Sequence, residues 1–201
     1  GKVKKDELLL MSQKIIHRGP DDEGIYVSDD KKVGLVNRRL AIIDLSKKGH
    51  MPMTYKNRYV ITYNGEVYNF QEERELLKRL GYRFNSNSDT EVILALYDKY
   101  GISCLEHLRG MFAFAIYDKI NNKVFIARDR LGKKPIKYYF TSDVFIFASE
   151  LKAILTQKEV KKEPDYQAIG NYLTFGYVPS PLTGFVGIKK LEPGHYLIID
   201  L

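Results

Sequence analysis

Internal disulfides are closed to this sequence, because its 201 residues contain a single cysteine, Cys104, and one thiol cannot bridge with itself. Four histidines are scattered without metal-ligand spacing, so no metal centre is expected. No apolar run reaches the ~18–20 residues that cross a bilayer. The opening Gly1-Lys2-Val3-Lys4-Lys5 lacks the apolar core of a signal peptide. A cytoplasmic protein without a membrane partner is the expectation. Acid is scarcer than base: 25 Asp plus Glu against 32 Lys plus Arg leave +7. That surplus could serve nucleic acid, but the lysine pairs at 4–5, 31–32, 47–48, 133–134, 161–162 and 189–190 are dispersed over expected turns. A solvated surface is favoured over a phosphate-binding stripe.

What is present is a core-forming composition, 44% hydrophobic, which argues against disorder. Helical spacing of Leu8, Met11, Ile15 and Ile16 predicts a helix over 6–18, with Asp6 placed to cap it and Gly19-Pro20 to stop it. Strand-like runs at 24–28 and 33–43 flank a turn at 29–32. A strand over 59–63 runs into Asn64-Gly65, a turn dipeptide. Helices follow over 70–80 and from Ser88-Asp89-Thr90-Glu91, which reads as a capping box. The period then switches to two, predicting strands over 111–117, 123–128, 138–140 and 144–148. Short helices are expected over 149–156 and 165–175, and a last hairpin over 187–200 turning at Glu192-Pro193-Gly194. Hairpins, adjacent helices and more hairpins predict an α+β fold with antiparallel sheet, without repeat or linker.

Four segments place polar residues at the ends of apolar runs: 17–21, 37–40, 63–66 and 87–89. An enzyme that hydrolyses the side-chain amide of a free amino acid needs a cation for the carboxylate and an anion for the ammonium. It also needs two donors for the oxyanion, and a nucleophile. Arg39 could grip a carboxylate with paired hydrogen bonds. Asp89, at a helix start, could receive an ammonium. Asn64 and Gly65 could offer a side-chain and a backbone N–H to an oxyanion. Each has a plainer reading: Asn64-Gly65 as a turn, Asp89 as a cap, Arg39 as a surface ion-pair partner, and 17–21 as a helix stop with a packed histidine.

Taken together, the segments His17-Arg18-Gly19-Pro20-Asp21, Arg39-Leu40-Ala41-Ile42-Ile43-Asp44, Tyr63-Asn64-Gly65-Glu66-Val67-Tyr68-Asn69 and Ser88-Asp89-Thr90-Glu91-Val92-Ile93 resemble the motifs of the class II glutamine amidotransferase domain, in its asparagine synthetase branch. The segments 110–115, 127–132, 148–152 and 173–179 match further family motifs in order. The resemblance implies a four-layer αββα sandwich of the N-terminal nucleophile hydrolase type. It implies that Arg39, with Leu40, Ala41, Ile42 and Ile43 beside it, binds the glutamine carboxylate. Glu66 and Asp89 would hold the α-amino end, and Asn64 and Gly65 would form the oxyanion hole. No metal or cofactor is implied for this domain. ATP and Mg are expected in a C-terminal synthetase domain outside these residues, where ammonia released from glutamine would amidate aspartate.

The family begins with a nucleophilic cysteine, a glycine and a first strand, whereas this sequence opens with Gly1 and lysines. By comparison it starts a strand late, so the chain alone is expected to be inactive. Residues 1–201 read as one amidotransferase domain, truncated at its start relative to the family, with 157–201 a peripheral helix and hairpin leading toward the synthetase domain. Cys104, away from every motif, reads as core. Two rivals stay open: a binding or assembly module lacking a nucleophile, and the glutaminase domain of another amidotransferase. A homodimer is also left open.

Overall fold

The structure, a computed structural model, describes residues 2–201. In chain order it places α1 (Lys5–Gln13), β1 (Asp22–Val27), β2 (Gly34–Arg39), β3 (Met53–Tyr55), β4 (Tyr59–Val67), α2 (Phe70–Arg79), α3 (Asp89–Tyr100) and α4 (Cys104–His107). There follow β5 (Gly110–Asp118), β6 (Lys123–Arg128), β7 (Lys137–Phe140), β8 (Phe145–Ala148), α5 (Leu151–Ile154), α6 (Tyr166–Phe175), β9 (Ile188–Lys190) and β10 (Tyr196–Asp200).

Period-two alternation explains the layers. In β5, Phe112, Phe114 and Ile116 point to one face, and Ala113, Ala115 and Tyr117 to the other. The first face packs under α2, α3 and α4, with Val92, Ile93, Leu96 and Cys104 fully buried. The second face packs against β1, β2, β7 and β8 through Leu35, Tyr138, Phe145 and Phe147. Beyond those strands lie α1 and α5, which contribute Leu8, Met11, Ala153 and Ile154 to a third core. Both faces of each sheet are therefore covered, which is the αββα sandwich that the resemblance implies.

One sheet is continuous, in the order β10-β6-β5-β4-β3, and antiparallel where paired. The other layer is divided into β1-β2 and β8-β7-β9. Among the described residues, the facing edges of β2 and β8 have no strand partner, and they line a cleft of about 600 Å³.

Several local expectations give way to non-local pairing. Asn64-Gly65 is not a turn: β4 continues to Val67, with Asn64 opposite Ala113 and Gly65 opposite Phe112. The final hairpin is not one either, because β9 joins β7 while β10 joins β6. The strand expected over 33–43 ends at Arg39, where the backbone turns to wrap that side chain. The first helix stops at Gln13, a 3-10 turn spans Ile16–Arg18, and the N-cap is Lys4 rather than Asp6. Strand β3 and helix α4 carry too few residues for a periodic signal, and sequence reading missed them.

Candidate active site

The site is built at the corner where β4 leaves the continuous sheet. Gly65 lies so close to β5 that a Cβ there would sit 2.2 Å from the Met111 carbonyl oxygen and 2.7 Å from Phe112 Cα. Only a residue without a side chain fits, so the backbone beside Asn64 is fixed by the neighbouring strand. Across the corner, Asp89 opens α3 and is buried. Its Oδ2 accepts from the Tyr63 hydroxyl at 2.7 Å and the Val67 N–H at 3.0 Å. Burial and the adjacent Asp89 carboxylate hold the Tyr63 phenol well above its ordinary value, so it stays a donor.

The loop before α3 is pinned from below. Arg74 donates to the carbonyls of Ser86 (2.8 Å) and Ser88 (2.9 Å). Glu91 accepts from the N–H groups of Asn85 (2.9 Å) and Ser86 (2.8 Å). Ser88 caps the helix by accepting from Thr90 N–H at 3.2 Å. The expected reciprocal capping box is thus not made: Ser88 caps the N–H of Thr90 rather than that of Glu91, and the Glu91 carboxylate is drawn to the preceding loop.

Arg39 ends β2 and is buried, with Nη2 donating to the carbonyls of Ile43 (3.0 Å) and Asp44. Gly49 crosses directly over the guanidinium: a Cβ there would meet Nη2 at 2.2 Å. Asp44 closes the loop against the α3 entrance by accepting from Asn87 N–H at 2.7 Å. The Asp44 carboxyl lies below its ordinary range because the Ser46 hydroxyl donates to it, which, with the Asn87 and Ser46 N–H groups, outweighs burial. A third wall comes from the 3-10 turn. His17 Nε2 and Arg18 Nη1 meet Glu150 Oε1 at 2.9 and 3.0 Å. Burial alone would raise the Glu150 carboxyl; hydrogen bonds from Arg18, His17 and Lys152 outweigh it and bring it down to about 2.

These walls enclose one cavity of about 370 Å³. Arg39, Leu40, Ile42 and Ile43 line it from the loop after β2, Asn64, Gly65 and Glu66 from β4, and Asp89 from α3. Of the residues singled out from the sequence, Ala41 alone is off the wall; its N–H goes to the Asp21 carboxylate at 2.9 Å. Sequence reasoning missed the parts played by Asp44, Gly49, Arg74 and Glu150. Asp44 and Glu150 stand within recognised motifs, but nothing local shows which loop each one holds. Asn64, Tyr63, Arg18 and Arg38 line both this cavity and the cleft between β2 and β8, so the two open onto the same residues.

Asn64 Nδ2 is buried and has no hydrogen-bond partner among the described residues. A buried amide donor without an acceptor costs about 1–3 kcal/mol, so its retention calls for a ligand or a further segment to accept from it. Basic and acidic side chains both line the cavity: Arg18, Arg38, Arg39 and Lys134, with Glu66 and Asp89. Cys104 is fully buried in the core beneath α3 and is not on the cavity wall; burial pushes its thiol up to about 12. It cannot supply a thiolate near neutral pH. Among the described residues, no group of three or more His, Cys, Asp or Glu could hold a metal ion.

A family model described as "Glutamine amidotransferase domain" matches residues 1–201. The chain belongs to that family. Among curated relatives of this amidotransferase domain, the putative glutamine-hydrolyzing asparagine synthetase 2 of Methanocaldococcus jannaschii is 42% identical over 218 residues, covering 99% of this chain and 42% of the relative. The glutamine-hydrolyzing asparagine synthetase 1 of Bacillus subtilis is 44% identical over 198 residues, covering 97% of this chain and 30% of the relative. Amidase chry2 of Gibberella zeae is 36% identical over 194 residues, covering 96% of this chain and 28% of the relative. The chain therefore spans well under half the length of each of them. Among solved structures, the glutamine phosphoribosylpyrophosphate amidotransferase from B. subtilis superposes with a TM-score of 0.70 at 21% identity, over 100% of this chain and 46% of the other. At that identity the likeness concerns the fold, and it agrees with the amidotransferase sandwich described above.

Proposed function

We propose that this chain is the glutamine-hydrolysing part of a glutamine-dependent asparagine synthetase. Arg39 receives the α-carboxylate of glutamine, and Glu66 and Asp89 receive its α-ammonium. Asn64 Nδ2 and the Gly65 N–H face the oxyanion that forms as the amide is attacked. The observation that carries this reading is the unpartnered, buried Asn64 donor, in the one cavity that also presents Arg39 and Asp89. Arg39 meets the carboxylate with the hydrogens left after Nη2 has served the carbonyls of Ile43 and Asp44 and Nη1 that of Ser46.

The nucleophile is a cysteine thiol carried on a strand laid between β2 and β8, whose open edges offer backbone partners. The thiol sulfur bonds to the amide carbon and the C–N bond breaks. The nitrogen takes up a proton and leaves as ammonia, and water then cleaves the thioester to glutamate. The described residues supply no such thiol on the cavity wall, so the chain alone is inactive in this reading. The ammonia then amidates aspartate in a C-terminal synthetase domain, the site of ATP and Mg. A cytoplasmic location suits these substrates, and among the described residues no helix is long and apolar enough to cross a membrane.

The test is ammonia release from glutamine, with this chain compared against the same chain preceded by a Cys-Gly opening strand. Only the extended chain should turn over, and Asn64→Ala should lower its kcat by about 10²–10³-fold. If both chains fold and neither hydrolyses glutamine, the site is a binding or assembly module. A different acceptor for the ammonia is the second reading, favoured by a relative of 36% identity that is described as an amidase. Product analysis of the longer protein with aspartate decides it.

A further inference from the structure

On the β3 side of the continuous sheet lies a second cavity, of about 760 Å³, which shares no lining residue with the candidate active site. Strand β3 and the turn after it contribute Met53, Tyr55 and Lys56, and the loop after α2 contributes Leu80, Tyr82 and Arg83. Ser86 and Glu91 border it at the entrance to α3, and Lys48 from the segment before Gly49. Three cations therefore face one carboxylate. That carboxylate is turned to its own loop: Glu91 accepts from the N–H groups of Asn85 and Ser86 and, at 2.6 Å, from the Ser86 hydroxyl. Lys56 is fixed by Asp98 at 2.7 Å and sits 4.6 Å from the centre of the Tyr82 ring. Lys48 and Arg83 enter no ion pair among the described residues.

Exposed cations alone call for no ligand, but a buried donor accompanies these. Tyr55 is only 8% exposed. The hydroxyls of Tyr63 and Tyr82 donate to Asp89 and Asp98, whereas that of Tyr55 meets no acceptor among the described residues. Burial holds the Tyr55 phenol well above its ordinary value, so it stays a donor. A donor that folding has taken from water without giving it a partner is a cost, unless something in the cavity accepts from it. Cations and a hydroxyl donor suit an oxyanion. The exposed Leu80 side chain and the tyrosine rings suit an apolar body attached to it.

We propose that this cavity binds a small organic oxyanion, a carboxylate or phosphate with an apolar body, held by Lys48, Arg83 and the Tyr55 hydroxyl. Its lining also supports the candidate active site. Lys48 precedes Gly49, which crosses the Arg39 guanidinium, and the Ser86 carbonyl accepts from Arg74, which also holds Ser88 beside Asp89. Occupancy is therefore felt where glutamine would sit; that coupling rests on the glutaminase reading, and the binding itself does not.

Binding is measured by calorimetry on the longer protein, with phenyl phosphate and benzoate as probes and inorganic phosphate for comparison. At least one aromatic probe should bind, several-fold tighter than inorganic phosphate because its ring is sheltered from water. Tighter binding of phenyl phosphate marks the ligand as a phosphate, and of benzoate as a carboxylate. Arg83→Ala should weaken that binding by about tenfold. Tyr55→Phe should weaken it by about threefold or more without lowering the melting temperature, since its hydroxyl has no partner to lose in the empty protein. Lys78→Ala, on α2 and paired with Glu75 outside the cavity, leaves the Kd unchanged. No binding of either aromatic probe overturns the proposal, and so does binding that Arg83→Ala and Tyr55→Phe leave intact. Saturating glutamine should shift the Kd of the probe several-fold; an unchanged Kd in a protein that hydrolyses glutamine overturns the coupling. Binding that responds to Arg83→Ala in a protein that hydrolyses no glutamine leaves the site intact and sinks the glutaminase reading alone.

Discussion

Strands β4, β5 and β6 each have a hydrogen-bonded neighbour on both sides, whereas β2 and β8 each have one. Both layers are covered by helices on the outside and apolar toward each other. The difference lies in the backbone. In the continuous sheet β4 stays paired with β5 from Tyr59 to Val67, so the corner carrying Asn64 and Gly65 is held against Ala113 and Phe112. In the divided layer two open edges border a cleft that ends at the same Asn64. Open edges invite another strand. One sheet therefore fixes the groups that would receive a substrate, and the other leaves room for what would attack it.

Gly65→Ala tests the rigid half most severely. The added methyl would collide with the β5 backbone rather than with a side chain that could swing away. A loss on the order of 4 kcal/mol or more in urea unfolding is expected. A cost under about 1 kcal/mol would mean that β4 and β5 separate easily and the contrast between the sheets is false. A paired measurement sharpens the same contrast. Ile126, fully buried in β6, and Ile146, in β8 beside the cleft, are each replaced by alanine. Ile126→Ala should cost about 3–4 kcal/mol and Ile146→Ala nearer 2 kcal/mol, because the second site already borders empty space. Equal costs would show that the cleft is closed in solution.

The two smaller effects concern the walls. Ser88→Ala removes the cap of α3 and should cost about 1 kcal/mol, seen as a lower melting temperature. Glu150 ties the 3-10 turn of the continuous chain to the divided layer. Its carboxyl is lowered from 4.5 to about 2 on folding. A depressed carboxyl stabilises the fold fully above the unfolded value, and that contribution is lost as pH falls from 4.5 toward 2. Partial exposure screens the pair, so the contribution is under about 1 kcal/mol. Glu150→Gln should lower stability near neutral pH by that amount and flatten the acid limb within this window. An unchanged acid limb would show that the three cations hold Glu150 no better in the folded chain.

The site was partly legible from residues alone. Ser88 before Asp89 marks the start of α3, because a cap acts within one turn of chain. The turn that Asn64-Gly65 suggests locally does not form, because the dipeptide's preference is overridden by pairing with Ala113 and Phe112, far along the sequence. Gly187–Asp200 failed as a hairpin for the same reason: its two strands satisfy edges of different sheets. Arg39 was noticed as a cation, but the carbonyls that occupy Nη2 come from a loop with no periodic signal.

The sequence by itself determined the alternating faces of β4, β5 and β6, the amphipathic start of α1 and the family motifs, since each depends on residues within a few positions of one another. It also placed a cation, two carboxylates and an amide donor at the ends of apolar runs. Only the tertiary structure brought Arg39, Asn64, Glu66 and Asp89 onto one cavity, left Asn64 Nδ2 without a partner, and opened the cleft between β2 and β8. Those features follow from which strand edges meet across long stretches of chain, and backbone hydrogen bonds are blind to side-chain pattern until packing selects the neighbour.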